Sequence, residues 1–286
     1  MASPVLLGCD FTSRATRLKP IVVASGNLHG KVLRLSALQF AVDDAGFLAL
    51  LNSAPDWVGA FDLPFGLPRE LVTQLGWPLQ WHACLKHYQT LTRAEIRSTF
   101  SAFCAQRPVG GKFAHRATDG PAASSPSMKW VNPPVAYMLH AGVPLLLQAG
   151  ASFPGIFEPD APAASEPSRI ALEGYPGLLA REILGRASYK SDDRHKQTSE
   201  RLIARKEIIE ALEQGRTRLG LRLQLSNAQR DTLAGDPAGD SLDATLCLMQ
   251  AAWARMQFEN GDRRYGLPPH MDPLEGWIVT APWPQT

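Results

Sequence analysis

Short apolar runs separated by turn residues dominate the first part of the chain. Residues 5–10 form one such run, residues 20–24 form a second, and apolar and polar side chains alternate over residues 31–35. Runs of this length and alternation are typical of β-strands. The short connections between them predict an antiparallel meander, and the spacing of apolar residues over 43–52 predicts a helix after it.

Helical patterns separate the later apolar runs. Residues 57–62 are a fourth strand candidate, residues 169–173 a fifth, and residues 276–279 a final edge strand. The predicted helices between and after them cover residues 69–75, 176–184, 200–214 and 241–258. The helix at 200–214 is expected to bury Leu202, Ile203, Ile208, Ile209 and Leu212. A meander followed by strands that alternate with helices predicts an α/β fold, a mixed sheet with helices on both faces.

The segment between the fourth and fifth strands has a different composition. Residues 106–129 are rich in Gly, Pro, Ser, Ala and basic side chains, which predicts a long or partly disordered loop. The pattern over residues 135–157 predicts a buried helix followed by a strand or loop, and its polar residues and prolines argue against a membrane span. Residues 158–168 form a Pro/Ala-rich linker. We therefore expect one domain over residues 1–286 with a helical and loop insertion at about 77–168.

The charge of the chain is nearly balanced. Lys and Arg total 29 and Asp and Glu total 27, so a polybasic coating protein is excluded and a nucleic-acid contact needs a local patch. The four cysteines form no CxxC pair, which favours reduced thiols. The first residues lack a basic segment followed by a long apolar one, so we expect no signal peptide and a cytoplasmic protein without a membrane partner.

Acidic residues end three of the predicted strands and begin the last long helix. Asp10, Asp62 and Glu173 end strands one, four and five, and Asp240 and Asp243 lie three residues apart at the helix start. Strand ends at the carboxyl edge of an α/β sheet are where sites form, and an i, i+3 pair can share one helix face. Converging carboxylates repel each other unless a cation lies among them, and Mg²⁺ and Mn²⁺ prefer such oxygen ligands. Two such ions can activate water and stabilise the leaving oxygen in phosphodiester cleavage.

Each acid also has a structural interpretation. Asp240 can cap the helix, Asp243 can complement its dipole, and a strand-end Asp can form a turn. Lys190 is a candidate for binding a phosphate or stabilising developing charge if it lies near the acids, and a solvated lysine at a helix start is the alternative.

Basic side chains and one aromatic ring lie in and just after the insertion. They are a candidate mobile clamp for nucleic acid, and the alternative is an uninvolved surface loop. The residues concerned are Lys112, His115, Arg116, Lys129 and Trp130. Residues 128–137 as a whole are expected to line the pocket.

Four short motifs follow the order of the predicted elements. They are GCDFTS at 8–13, DLPFGLP at 62–68, EGYP at 173–176 and DSLDA at 240–244. Together they resemble the motif set of the DUF429 family, which is regarded as a family of predicted nucleases of the ribonuclease H-like superfamily. The resemblance extends from the first strand to the last long helix.

The resemblance implies a five-stranded mixed sheet in the order 3-2-1-4-5, with Asp10 and Asp62 on adjacent parallel strands. It implies that these two and the pair Asp240 and Asp243 are metal ligands, a pair that resembles the one in Holliday-junction resolvases of the superfamily. Glu173 would complete the metal shell or touch substrate.

The leading functional hypothesis is a Mg²⁺- or Mn²⁺-dependent nuclease. The substrate is left open among DNA, RNA, a junction and a small phosphodiester. One alternative is an ATP-dependent phosphotransferase of the actin or sugar-kinase type, because the residues after Asp10 loosely resemble its first phosphate loop, although Phe11 is bulky for that loop. The other alternative is a non-catalytic binding scaffold on the same fold.

Overall fold

A six-stranded mixed sheet forms the centre of the computed structural model, which describes residues 4–159 and 168–283. The strands are β1 (Val5–Asp10), β2 (Ile21–His29), β3 (Val32–Ala41), β4 (Trp57–Asp62), β5 (Arg169–Glu173) and β6 (Arg222–Gln224). They lie in the order β5-β4-β1-β2-β3-β6. β2 runs antiparallel to both β1 and β3, while β1–β4, β4–β5 and β3–β6 are parallel pairs.

The predicted strands agree with the sheet except at its edges. β1, β4 and β5 have the predicted bounds, and β2 and β3 continue five or six residues beyond theirs. The expectation of five strands is wrong by one, because β6 is a three-residue strand, too short to give a periodic signal. The predicted edge strand at 276–279 is also wrong, since in the described part of the chain it contributes one parallel bridge, between Glu173 and Ile278.

Ten helices in the described residues cover the two faces of the sheet. They are α1 (Asp44–Asn52), α2 (Arg69–Gln74), α3 (Trp81–Gln89), α4 (Arg93–Ala105), α5 (Asp119–Ala122), α6 (Val135–Gln148), α7 (Pro176–Leu184), α8 (Ser199–Gln214), α9 (Asn227–Gly235) and α10 (Asp240–Glu259). Side chains alternate along each strand, so Leu6 joins a core with α7 to α10 and Leu7 joins a second core with α1, α3, α4 and α6. None of these helices combines the length and the apolar character needed to cross a bilayer.

One of two expectations about packing needs correction. Ile203 in α8 is 63% exposed instead of buried, because it lies about 140° around the helix from Ile208, which faces the core. Residues 106–129 contain the single turn α5 and are otherwise irregular, as expected of a loop; part of the segment packs on the fold, since Ala114 and Met128 are buried, while residues 108–112 are exposed. Residues 160–167, most of the predicted linker, lie outside the described residues.

The closest packing of a helix on the sheet occurs at Gly8. A Cβ atom placed on this residue would lie 2.1 Å from the backbone nitrogen of Leu248 and 2.2 Å from the carbonyl oxygen of Ala244. The backbone of α10 therefore rests directly on β1, which only glycine permits. This contact sets the height of the start of α10 above the end of β1.

We expect Gly8→Ala to lower the free energy of unfolding by about 3 kcal/mol or to prevent folding, because an added methyl group must separate backbone from backbone. Gly235→Ala is the matched control, since a Cβ there meets no atom within 4 Å. Urea unfolding of both variants measures the effect. Equal stability of the two would contradict this account of the contact.

Candidate functional site

Two aspartates end neighbouring parallel strands at the same level. Asp10 is the last residue of β1 and Asp62 the last of β4, and their Cα atoms are partners in the strand register. Adjacent strands are about 4.8 Å apart, so the two carboxylates share one edge of the sheet. Asp10 is buried and Asp62 is partly buried.

The N-terminus of α10 lies at the same edge and carries two further acids, Asp240 and Asp243, both buried. The helix can begin here because Gly239 adopts a left-handed conformation, with φ of 80°. The carboxylate of Asp236 accepts hydrogen bonds from three backbone N–H groups of this turn at 2.9–3.2 Å. Asp236 therefore satisfies the start of the helix, and the interpretation of Asp240 as its cap is wrong.

Asp243 is held by two side chains from the segment before α8. The hydroxyl of Tyr189 donates to Oδ1 of Asp243 and the ammonium group of Lys190 donates to Oδ2. The buried guanidinium of Arg205 in α8 fixes this segment, since its Nη1 donates to the carbonyl oxygen of Tyr189 at 2.7 Å. Lys190 thus lies beside the acids, which is the condition for the hypothesis that it binds a phosphate or stabilises developing charge.

Asp240 has a different cation. Nζ of Lys19, in the loop between β1 and β2, lies 2.7 Å from Asp240 and 2.9 Å from the exposed carboxylate of Asp192. Burial alone would lower the pKa of Lys19, but the hydrogen bonds to the two carboxylates raise it. The loop is thereby tied to the start of α10.

Burial and mutual repulsion disfavour ionisation of the two strand-end acids. Burial raises the pKa of Asp10 well above its usual value; the charge of Asp243 raises it further, and Lys190 opposes the shift. Burial likewise raises the pKa of Asp62 to about 7, with Lys190 opposing and with Asp243 and Glu173 adding to the shift. In residues 4–159 and 168–283, no side-chain hydrogen bond satisfies either carboxylate. The ionised forms of Asp10 and Asp62 are therefore disfavoured, and a bound cation would stabilise them.

The chemistry of the carboxylate oxygens at this edge fits a hard divalent cation. Asp10 and Asp62 offer carboxylate oxygens without hydrogen bonds, and Asp243 lies beside them. Among the described residues, however, no group of three or more Asp, Glu, His or Cys side chains is already arranged around a metal position. The ammonium group of Lys190 occupies one oxygen of Asp243.

Glu173 lies beside Asp62 but is engaged elsewhere. Arg116 donates to both of its oxygens at 2.7 and 2.8 Å, and the backbone N–H of Phe65 donates at 2.9 Å. Arg116 also pairs with Asp119, and all three side chains of this ion-pair cluster are buried. The expectation that Arg116 belongs to a mobile clamp is wrong, because its guanidinium is a buried link between the insertion and β5.

A cavity of about 300 Å³ opens beside these acids. Its charged lining is Asp62, Glu173, Arg116 and Lys190. Pro133 and Val135 contribute to its apolar side, as expected of the segment 128–137. The cavity therefore adjoins the carboxylates at the edge of the sheet, and it is large enough to hold one small organic group.

The other residues of the candidate clamp are not among the residues that line this cavity. Lys112 and His115 are exposed, and Lys129 is partly buried. The ring of Trp130 packs 5.6 Å from that of Phe113. The described lining of the cavity includes none of these side chains except Arg116.

Four residues with roles at this edge are absent from the sequence-based set: Lys19, Tyr189, Arg205 and Asp236. Tyr189 directly precedes Lys190, so its position in sequence was a usable signal. Arg205 carries no such signal, since a basic residue in a helix is usually solvated.

We expect Arg116→Gln to lower the free energy of unfolding by about 3–5 kcal/mol, because it leaves buried carboxylates without their cation. Arg230→Gln removes a solvent-exposed pair with Glu213 and is expected to leave the free energy of unfolding close to that of the wild type. Chemical denaturation compares the two variants. Similar losses would mean that the buried cluster is no more important than a surface pair.

The raised pKa of Asp62 predicts a pH-dependent effect of Asp62→Asn in chelator. Between about pH 4 and 7 the unfolded chain ionises Asp62 while the folded chain keeps it protonated, so this group lowers the stability of the wild type as the pH rises. The variant lacks this penalty. Its free energy of unfolding relative to that of the wild type should therefore increase between pH 4 and pH 8, by on the order of 4 kcal/mol for a shift of this size, and its melting temperature should rise accordingly. A difference that is constant with pH contradicts the shift.

Comparison with known proteins adds no relative. No protein-family model, no curated protein and no solved structure matches this chain. The functional argument therefore depends on the geometry of its own residues.

Proposed function

We propose that this protein is a divalent-metal-dependent phosphodiesterase that acts on nucleic acid, on a ribonuclease H-like fold of the DUF429 type. The observation that carries the proposal is the register of Asp10 with Asp62 at adjacent parallel strand ends, beneath Asp243 at the start of α10. The order of β1 to β5 across the sheet supports the fold assignment. β6 extends that sheet at the edge remote from the acids.

Asp10, Asp62 and Asp243 are the side chains that would hold Mg²⁺ or Mn²⁺. The ion would neutralise these carboxylates and stabilise negative charge that develops on phosphate oxygens. Asp240, which Lys19 engages, lies beside them as a supporting acid. Burial, with repulsion from Asp243 added, raises the pKa values of Asp10 and Asp62, and a bound cation would favour their ionised forms, which supports this use.

Lys190 and Glu173 have different parts in the proposal. Lys190 lines the cavity, and once released from Asp243 its ammonium group can donate to a substrate phosphate. Glu173 forms a wall of the cavity, fixed there by Arg116 and by the backbone of Phe65, and holds the segment after β4 in place. We therefore assign Glu173 a positioning role and no place among the metal ligands.

The two alternatives have less support. The ring of Phe11 is buried in the core directly after Asp10, so the loop there is not the open glycine-rich turn that a phosphotransferase uses for ATP phosphates. A binding scaffold gains nothing from buried acids that repel each other. The carboxylate arrangement favours metal-dependent hydrolysis over both.

Titration of Mg²⁺ and Mn²⁺ with melting temperature as the readout tests the proposal. At ten times its Kd, an ion that binds only the folded state adds about 1.4 kcal/mol, a rise of roughly 3–6 °C for a chain of this size. We expect this rise in the wild type and in Asp231→Asn, a control at an exposed acid on α9, and its loss in Asp10→Asn.

Cleavage assays on DNA, RNA, junction and small phosphodiester substrates complete the test. We expect metal-dependent hydrolysis of nucleic acid that falls at least 100-fold in Asp10→Asn and Asp62→Asn but not in Asp231→Asn. A wild type that shows neither an ion-dependent rise in melting temperature nor cleavage that chelator abolishes would refute the proposal.

A further inference from the structure

The loop between β1 and β2 presents cations immediately beside the acids. Residues 11–20, which we call the basic loop, contain Arg14, Arg17 and Lys19 and no Asp or Glu. The loop leaves the sheet directly after Asp10 and returns to it beside the same residue, since Val22 of β2 is the register partner of Asp10. A chain with a net charge of only +2 therefore concentrates positive charge at its candidate site.

Several contacts hold the basic loop in one conformation. Phe11 is buried at its start, and Nη2 of Arg93 in α4 donates to the carbonyl oxygen of Ser13 at 2.5 Å. At its far side, Nζ of Lys19 is tied to Asp240 and Asp192. The tip is thus presented on a fixed support, which lowers the entropy cost of binding a partner.

The tip itself is made of side chains without a partner in the fold. A hydrogen bond of 3.0 Å from the N–H of Thr16 to the carbonyl of Lys19 closes a turn that displays Arg17 and Leu18. Leu18 is 98% exposed, and Arg14 and Arg17 are exposed and pair with no carboxylate in the described part of the chain. An exposed leucine flanked by free guanidinium groups matches the chemistry of a nucleic-acid strand, with phosphates for the arginines and a base for the leucine.

The basic loop and the cavity lie on opposite sides of the acids, which defines a line along the edge of the sheet for a bound nucleic-acid strand. The cavity lies on the β4–β5 side of Asp10 and Asp62, whereas the basic loop lies on the β1–β2 side. The edge from β5 to β2 spans three strand spacings, about 14 Å, which is room for roughly four nucleotides at a rise of 3.4 Å. A strand laid along this edge would pass the acids between the cavity and the loop.

We propose that the basic loop is a nucleic-acid contact that binds the strand next to the phosphate attacked at the acids, with Arg14 and Arg17 on phosphates and Leu18 against a base. This inference rests on the proposed function for its substrate class. It goes beyond that function in assigning a binding surface separate from the carboxylates.

Binding in chelator tests the inference without any contribution from a metal site. The probe is a fluorescein-labelled 30-base-pair DNA duplex, followed by fluorescence anisotropy over a range of salt concentrations, with the single strand and the corresponding RNA measured in parallel. We expect Arg14→Gln/Arg17→Gln to weaken binding at least tenfold and to reduce the slope of log K against log salt by about two. The control Lys31→Gln/Arg34→Gln removes two exposed cations at the opposite end of the sheet and should leave both values close to wild type.

Leu18→Ala separates the apolar contact from the charges. We expect a two- to fivefold loss of affinity with an unchanged salt slope, whereas Leu79→Ala, at another exposed leucine, should have no effect.

The inference is overturned if the two double variants bind alike, or if the wild type binds none of the nucleic acids in chelator. It is also overturned if the loop variants lose binding to phosphatidylserine vesicles but not to nucleic acid, because the loop would then contact a membrane. A metal-dependent rise in melting temperature alongside any of these results would leave the metal site intact and reject the loop alone.

Discussion

Repulsion among buried carboxylates is the constraint on which the rest of the site depends. Asp10 and Asp62 end adjacent strands, Asp243 lies above them, and the low-dielectric surroundings make their charges costly. In the structure the ammonium group of Lys190 offsets part of this cost through Asp243. An arrangement so unfavourable for stability is typical of a functional site, because the fold retains it in spite of the penalty.

The scaffold that creates this arrangement is rigid and non-local. The contact of α10 with Gly8 fixes how far the start of the helix stands from the end of β1, and the ion pair of Arg116 with Glu173 holds the insertion against β5. The acids are thus brought together from opposite ends of the chain by packed elements. Lys190 pairs with the buried Asp243, although its own side chain is partly exposed.

The sequence predicted the parts of this arrangement that have local causes. Apolar runs located β1, β4 and β5 because buried strands need continuous apolar residues, and the acids that end them were evident from position alone. Arg116 was misassigned because its partner Glu173 is 57 residues away, and nothing in the composition of a Gly- and Pro-rich segment indicates a buried ion pair. β6 was missed because three residues give no periodic signal, and Ile203 was misassigned because its angle around the helix relative to Ile208 was not taken into account.

The central claim is that the acids form one divalent-cation site from which Lys190 withdraws. Anomalous diffraction from crystals of the wild-type protein soaked in Mn²⁺ tests it most directly. The account predicts an anomalous peak at about 2.0–2.3 Å from carboxylate oxygens of Asp10, Asp62 and Asp243, with Nζ of Lys190 moved off Asp243. The absence of a peak at these residues, with Lys190 still bound to Asp243 at saturating Mn²⁺, would contradict it.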